Sequence, residues 1–316
     1  MSMAYEKMTR RNFCKVLAGA VVTGARPASP KAGEPEFRLN YMLASSLYGR
    51  LPLAEVVAET HKAGAEHIDI WPERHANHRE QIAEMGLARF AAMLRRHRIK
   101  LGALTHYDLG PYALAPEMRV AEQLGGSLIV CGAAGPSKLR GRPLKAAVTE
   151  FIEKMKPHVA TAERRGVVIG IENHANSLIE SLDSIRWLAE LAPSGHIGIA
   201  LAPYHLAQDA EQIARLIADL GDGLVHFYAW QYGKGCHQKL PKQEELLQMP
   251  GRGALDFVPL VSALKRIGYR GWTEVFMHPV PRGIPILTTA AEVTREINRS
   301  RRYLEACVAK IASSQV

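Results

Sequence analysis

From Phe37 onward, the apolar positions of the chain follow two periods in turn. Short runs such as "HIDIW" (67–71) change face at every residue or are apolar throughout. Longer segments such as "LAEVVAETHKAG" (53–64) and "AEQIARLIADLG" (210–221) repeat their apolar residues every three to four positions. The first pattern belongs to strands and the second to helices with one buried face. The strand-like runs are "FRLNYMLAS" (37–45), "HIDIW", "LGALTHY" (101–107), "SLIVCGA" (127–133), "VVIGIENH" (167–174), "HIGIALAPYH" (196–205), "LVHFYAW" (224–230) and "GWTEVFMH" (271–278). Besides the two helical segments quoted, the spacing predicts helices over 86–98, 115–126, 144–166, 181–192, 256–268 and 289–311. Several of them close on glycine, as helix C-termini do.

Eight strand–helix units in one run predict an α/β fold, a (β/α)₈ TIM barrel forming a single domain over residues 34–316. A doubly wound sheet is the competing arrangement. It would want a glycine-rich phosphate turn after its first strand, and "SSLYGRLPL" (45–53) is not one. The one long insertion, residues 231–255, follows the seventh strand, on the face where long barrel loops carry function.

Composition changes this picture at one end only. The chain has 316 residues, 47% of them hydrophobic and 22% charged, as in a soluble globular protein. Its net charge of +9 would suggest a nucleic-acid partner, but +5 of it lies in residues 1–33, so no such partner is expected for the barrel. The cysteines (Cys14, Cys131, Cys236, Cys307) are far apart and form no CxxC, which argues against a disulfide framework or a zinc–cysteine site. "MTRRNFCKVLAGAVVTGA" (8–25) is a basic segment leading into a short apolar run, too short to span a bilayer. It resembles a twin-arginine export signal, with Arg10 and Arg11 as the pair and Phe13 following. Residues 1–33 are therefore expected to direct a bacterial protein to the periplasm or beyond, with no stable membrane insertion afterwards.

Alternation assigns the faces of the strands. In the fifth strand Val167, Ile169 and Ile171 suit packing against helices, which turns Gly170 and Glu172 toward the barrel axis. The sixth strand turns Gly198, Ala200 and Ala202 inward, and the seventh Leu224, His226, Tyr228 and Trp230. The eighth contributes Trp272, Glu274, Phe276 and His278, the second Asp69 and Trp71, and the third His106. Polar side chains thus converge at the carboxyl ends of the strands, where this fold places active sites. Two unpaired buried carboxylates are costly. A divalent cation shared by Glu172 and Glu274, with His226 as third ligand, offsets that cost, and this donor set suits Mn²⁺, Mg²⁺, Co²⁺ or Zn²⁺. Taken singly, His106, His174 and His278 also read as hydrogen-bonded core residues, and Asp69 as a loop holder. Trp71, Tyr228 and Trp230 either fill the barrel or form a wall on which a sugar stacks. His61, His75, His78, His97 and His158 fall in helices or loops, where solvation is expected.

The order of "HIDIW", "IENH" (171–174), "PYHL" (203–206), "VHFYAW" (225–230), "PGRGALDF" (250–257) and "WTEVF" (272–276) resembles the xylose isomerase-like TIM-barrel superfamily over residues 37–311. That group includes sugar isomerases and epimerases, inosose dehydratases and endonuclease IV-type enzymes. In its epimerase-like members a metal is held by a Glu on strand 5, an Asp in a D-x-x-H element on strand 6, a His on strand 7 and a Glu on strand 8. Carried over, these positions are Glu172, Ala202, His226 and Glu274, with the His of the element at His205. This chain reads "APYH", so the Asp ligand is missing. The resemblance implies metal-assisted proton abstraction next to a carbonyl of a carbohydrate or keto-sugar, as isomerase, epimerase or related lyase. Glu172 and Glu274 would be both ligands and proton carriers, while His205 and Arg252 would hold substrate oxygens beside His106 and Trp71. Arg252 also reads as a plain loop cation. Barrels of this group often associate through loops at one end, so an oligomer is compatible.

Ala202 motivates a second reading, a noncatalytic carbohydrate-binding or scaffold protein on a decayed barrel. A repair endonuclease of the endonuclease IV type, with its many zinc ligands, is disfavoured by the same missing Asp and by export away from DNA.

Overall fold

The computed structural model describes residues 36–313, so the expected export segment lies outside the described residues. The unit starting at Phe37 is a closed barrel of eight parallel strands in sequence order. They are β1 (Asn40–Ala44), β2 (His67–Ile70), β3 (Lys100–Thr105), β4 (Leu128–Gly132), β5 (Val168–Glu172), β6 (Ile197–Leu201), β7 (Leu224–Ala229) and β8 (Trp272–Val275). β8 pairs back to β1 through Trp272 opposite Asn40 and Glu274 opposite Met42, and closure leaves no sheet edge. The (β/α)₈ architecture read from the periodicity is the one observed.

The helices are α1 (Leu53–Glu59), α2 (His78–Met85), α3 (Leu87–His97), α4 (Ala115–Leu124), α5 (Gly141–Arg164), α6 (Leu182–Leu191), α7 (Ala210–Leu220), α8 (Lys242–Glu245), α9 (Val258–Arg266) and α10 (Ala290–Ser313). The helix-facing aliphatics of the strands, such as Ile169, Ile197 and Ile199, are buried against them. Side chains hold some helix starts: Ser181 and Ser184 form a reciprocal cap on α6, and Asp209 accepts from Gln212 N at 3.0 Å on α7. Among the described residues no helix is long and apolar enough to cross a membrane.

Helix α2 is absent from the sequence prediction for a physical reason. It is held by polar bonds instead of an apolar stripe, with only His78 and Ile82 buried. The Gln81 carboxamide accepts from Leu53 N at 2.7 Å and donates to Leu51 O at 3.2 Å, and His78 Nε2 lies 3.0 Å from the same carbonyl. His78, expected in solvent, is therefore fully buried.

Two irregularities in strand pairing matter for the site. Between β2 and β3, Ile68 opposes Leu101 but Asp69 opposes Ala103, so Gly102 is extra. Gly102 occupies this bulge because a Cβ there would collide with the Met42 sulfur. An extra residue exchanges the two faces of everything downstream. Between β6 and β7, Ile199 opposes Leu224 and Ala200 opposes His226, leaving Val225 extra. Leu224, expected inward, is thus in register with Ile199, and Val225 abuts Gly198, where a Cβ would lie 2.5 Å from its methyl group.

Candidate active site

Strand register builds the centre. Glu172 ends β5 opposite Ala200 of β6, Ala200 opposes His226 of β7, and Tyr228 opposes Glu274 of β8. These side chains share the inner face near the strand carboxyl ends, as alternation predicts. Glu274 and His226 are fully buried and share a hydrogen bond, Oε2 to Nε2, at 3.1 Å. Asp69, also fully buried, accepts from Thr105 Oγ1 at 2.7 Å. Burial, then the neighbouring Glu274, holds the Asp69 carboxyl well above the usual range; burial, then Glu172, does the same to Glu274. Burial depresses the His226 imidazole to about 3, against a smaller opposing pull from Glu172. Burial thus works against charge on both members of the Glu274–His226 pair.

Glu172 differs from Glu274 in its access. It lines a cavity of about 450 Å³ at the strand carboxyl ends, together with Tyr107, Asp108, His75, His174 and His278. Burial raises its carboxyl to about 7, with His174 and then His226 pulling the other way. His205 Nε2 stands 3.6 Å from Glu172 Oε1, and the His205 ring lies 4.0 Å from that of His174. Burial keeps His205 neutral, with its imidazole down at about 4. Glu73 and Asp108 also line the cavity, but their side chains face the exposed cations Arg50 and Arg74.

Four rings fill the axis next to the pair. Phe276 stacks on Trp71 at 5.2 Å and meets Tyr228 at 5.2 Å and Trp230 at 5.1 Å, and none of the four is more than 2% exposed. Tyr228 in turn stands edge-on to His226 at 4.3 Å. The turn Pro203–His205 after β6 is fixed by Tyr204, which stacks on Trp230 at 3.9 Å and donates or accepts at Cys236 Sγ, 3.1 Å away.

Of the residues singled out in the sequence, the structure brings together Glu172, His226, Glu274 and His205. Trp71 is next to them, but inside the ring stack. His106 is not among them. The bulge at Gly102 turns Thr105 and Tyr107 inward, and the charges felt by His106 are first those of Glu117, Glu80 and Arg79, with Asp108 of the cavity rim a smaller contribution. Arg252 does not line the cavity; it forms a two-pronged ion pair with Glu296 of α10 at 2.7 and 2.6 Å. His75, expected in solvent, stacks on His278 at 4.6 Å at the cavity wall. Asn173 was not singled out at all. Its Oδ1 accepts from Ala202 N at 2.7 Å and its Nδ2 donates to Ala202 O at 3.1 Å, which ties the end of β5 to the end of β6. The signal was an amide inside "IENH", on a face expected to be apolar.

The donor set does not fit a divalent cation as it is arranged. Among the described residues no group of three or more His, Cys, Asp or Glu side chains is placed to hold a metal ion. Ala202 supplies no side-chain donor, and His226 and Glu274 are turned toward each other.

Comparison with known proteins agrees with the architecture. The fold is shared with D-psicose 3-epimerase from Clostridium cellulolyticum H10, at 15% identity and a TM-score of 0.65 over 85% of this chain and 99% of that one. It is shared with 3-keto-D-glucoside 4-epimerase from E. coli, at 16% identity and 0.62 over 84% and 99%. The IOLI protein, solved with a bound zinc atom, has 17% identity and 0.60 over 86% and 99%. At these identities the likeness is one of fold. The sequence matches none of the curated proteins. The description of the xylose isomerase-like TIM barrel matches residues 57–304, most of the barrel from β2 to α10, and the chain belongs to that family.

Proposed function

We propose that the chain is an isomerase of a carbohydrate or keto-sugar that moves a proton at a carbon beside a carbonyl, with Glu172 as the acid–base group. One observation carries this reading: Glu172 is a buried carboxyl, raised to about 7, that lines the cavity. A general base works best with a proton affinity near the working pH. The carboxylate takes the proton from the carbon and, as an acid, returns it from the same face to the neighbouring carbon while the hydroxyl proton moves to the former carbonyl oxygen, which is an isomerisation; inversion at one carbon would need a second acid on the opposite face. His174 and His278, on the same cavity wall, are placed to donate to the enediolate oxygens as imidazoles. His205 Nε2 stands 3.6 Å from the Glu172 carboxyl, without a hydrogen bond to it. Glu274, the second carboxyl expected to carry a proton, does not line the cavity, so Glu172 returns the proton it removed. The Arg10–Arg11 segment supports export, and cell fractionation tests it.

The test of the reaction is proton exchange. Purified protein is incubated in D₂O with a panel of ketoses and keto-glycosides, and deuterium beside the carbonyl is followed by NMR. Exchange by the wild type, lost in Glu172→Gln, is expected. Sugar binding without exchange would instead favour the noncatalytic binding protein that Ala202 suggests.

A further inference from the structure

We propose that Glu274 and His226 form a structural carboxyl–imidazole pair in place of a metal centre, and that the barrel works without a resident divalent cation. A cation site needs several lone pairs aimed at one point. Position 202 has no side-chain donor, and its main chain cannot substitute. The Ala202 carbonyl already accepts from Asn173 Nδ2 at 3.1 Å and from His205 N at 3.2 Å, which uses both of its lone pairs.

Among the described residues no three of the remaining candidates are grouped to hold one ion. His226 gives Nε2 to Glu274 Oε2. Its other nitrogen, Nδ1, is buried without a partner and points to the opposite side of the ring, so a cation there would lie away from the carboxyl oxygen that Nε2 bonds. Glu172 Oε1 faces His205. Asp69, the other inward carboxyl, has one oxygen held by Thr105, while its second oxygen, Glu274 Oε1 and His205 Nε2 are buried without a hydrogen-bond partner.

The space is also taken. Phe276, Trp71, Tyr228 and Trp230 form the buried stack beside the pair, and neither Glu274 nor His226 lines the cavity. Ala202, the pairing and the ring stack are mutually consistent, each removing a requirement of the metal centre.

The experiment reads metal content and so does not depend on the sugar reaction: failure here leaves the exchange assay standing, and failure there leaves this result standing. Full-length wild type, Glu274→Gln and Glu172→Gln are each incubated with Mn²⁺, Co²⁺ or Zn²⁺ and desalted. Metal per chain is measured by mass spectrometry, and calorimetric titration is run in parallel. The expected result is no stoichiometric metal in the wild type, or a metal retained equally in both variants and therefore bound elsewhere. One equivalent in the wild type that is lost in either folded variant overturns the proposal.

Discussion

Replacing Glu172 by Gln should make the protein more stable at alkaline pH and less active at the same time. The wild-type carboxyl is buried and rises from the ordinary value near 4.5 to about 7 in the folded chain. Between those values the folded chain holds a proton that the unfolded chain has already released. Raising the pH through that window therefore favours unfolding: the penalty is absent below about 4.5 and fully present above 7. Its full size is ~3 kcal/mol, at 1.36 kcal/mol per pKa unit. Glutamine keeps the shape and never ionises. The variant should match the wild type near pH 4.5 and exceed it by ~3 kcal/mol at pH 8, or about 6 °C in Tm for a domain of this size. Proton exchange on sugar should meanwhile fall by about 10²–10⁴-fold, the usual worth of a general base. In the wild type, exchange should rise with pH to a plateau with its midpoint near 7, because the base form is the one that abstracts. Urea or thermal unfolding at both pH values reads the first effect. An E172Q protein that is no more stable than wild type at pH 8 would refute the reasoning, since the carboxyl would then not be strained by burial.

Two other substitutions separate structural from functional roles. Asn173→Ala leaves the buried Ala202 N–H without a partner and should cost about 2–3 kcal/mol in chemical denaturation. Arg252→Ala removes one of two guanidinium partners of the Glu296 carboxylate, the other being Arg299, and should cost about 1 kcal/mol while leaving proton exchange unchanged; a large loss of exchange would return Arg252 to the substrate site.

The elements were legible where burial follows one period. The helix-facing Ile197, Ile199 and Leu201 of β6 fix that strand and its inward Gly198 and Ala200 from sequence alone. Helix α2 was not legible because Gln81 and His78 anchor it through hydrogen bonds, which leave no apolar repeat. The face of His106 was misread because a bulge is a property of pairing between two strands, and β3 by itself gives no sign of it. The meeting of Glu172, His226 and Glu274 was legible because no bulge falls between those positions and the strand ends. What those groups do on meeting was not. Whether His226 faces a cation or a carboxyl depends on how its ring turns against Tyr228, which stands edge-on beside it and packs in turn on Phe276.

Ala202→Asp tests how far this rearrangement is locked in. Position 202 is fully buried, and Asn173 fixes its backbone from both sides. A carboxylate placed there would join Glu172, Glu274 and Asp69, three carboxyls for two of which burial and a neighbouring carboxyl already oppose ionisation. The added group must either stay protonated or lose hydration without gaining a counter-charge, at a cost of several kcal/mol. If the pair and the ring stack define the centre, Mn²⁺ cannot recover that loss, because a cation would have to displace the hydrogen bond between His226 and Glu274 and the rings packed beside it. A202D should therefore be less stable than the wild type by about 2–4 kcal/mol, with or without millimolar Mn²⁺. If only the missing Asp kept metal out, the variant would bind it, and a hundredfold excess over Kd would return about 2.7 kcal/mol. Thermal unfolding of A202D and wild type with and without Mn²⁺ decides between them, since a Mn²⁺-dependent rise confined to A202D would show that the other donors remain free to converge.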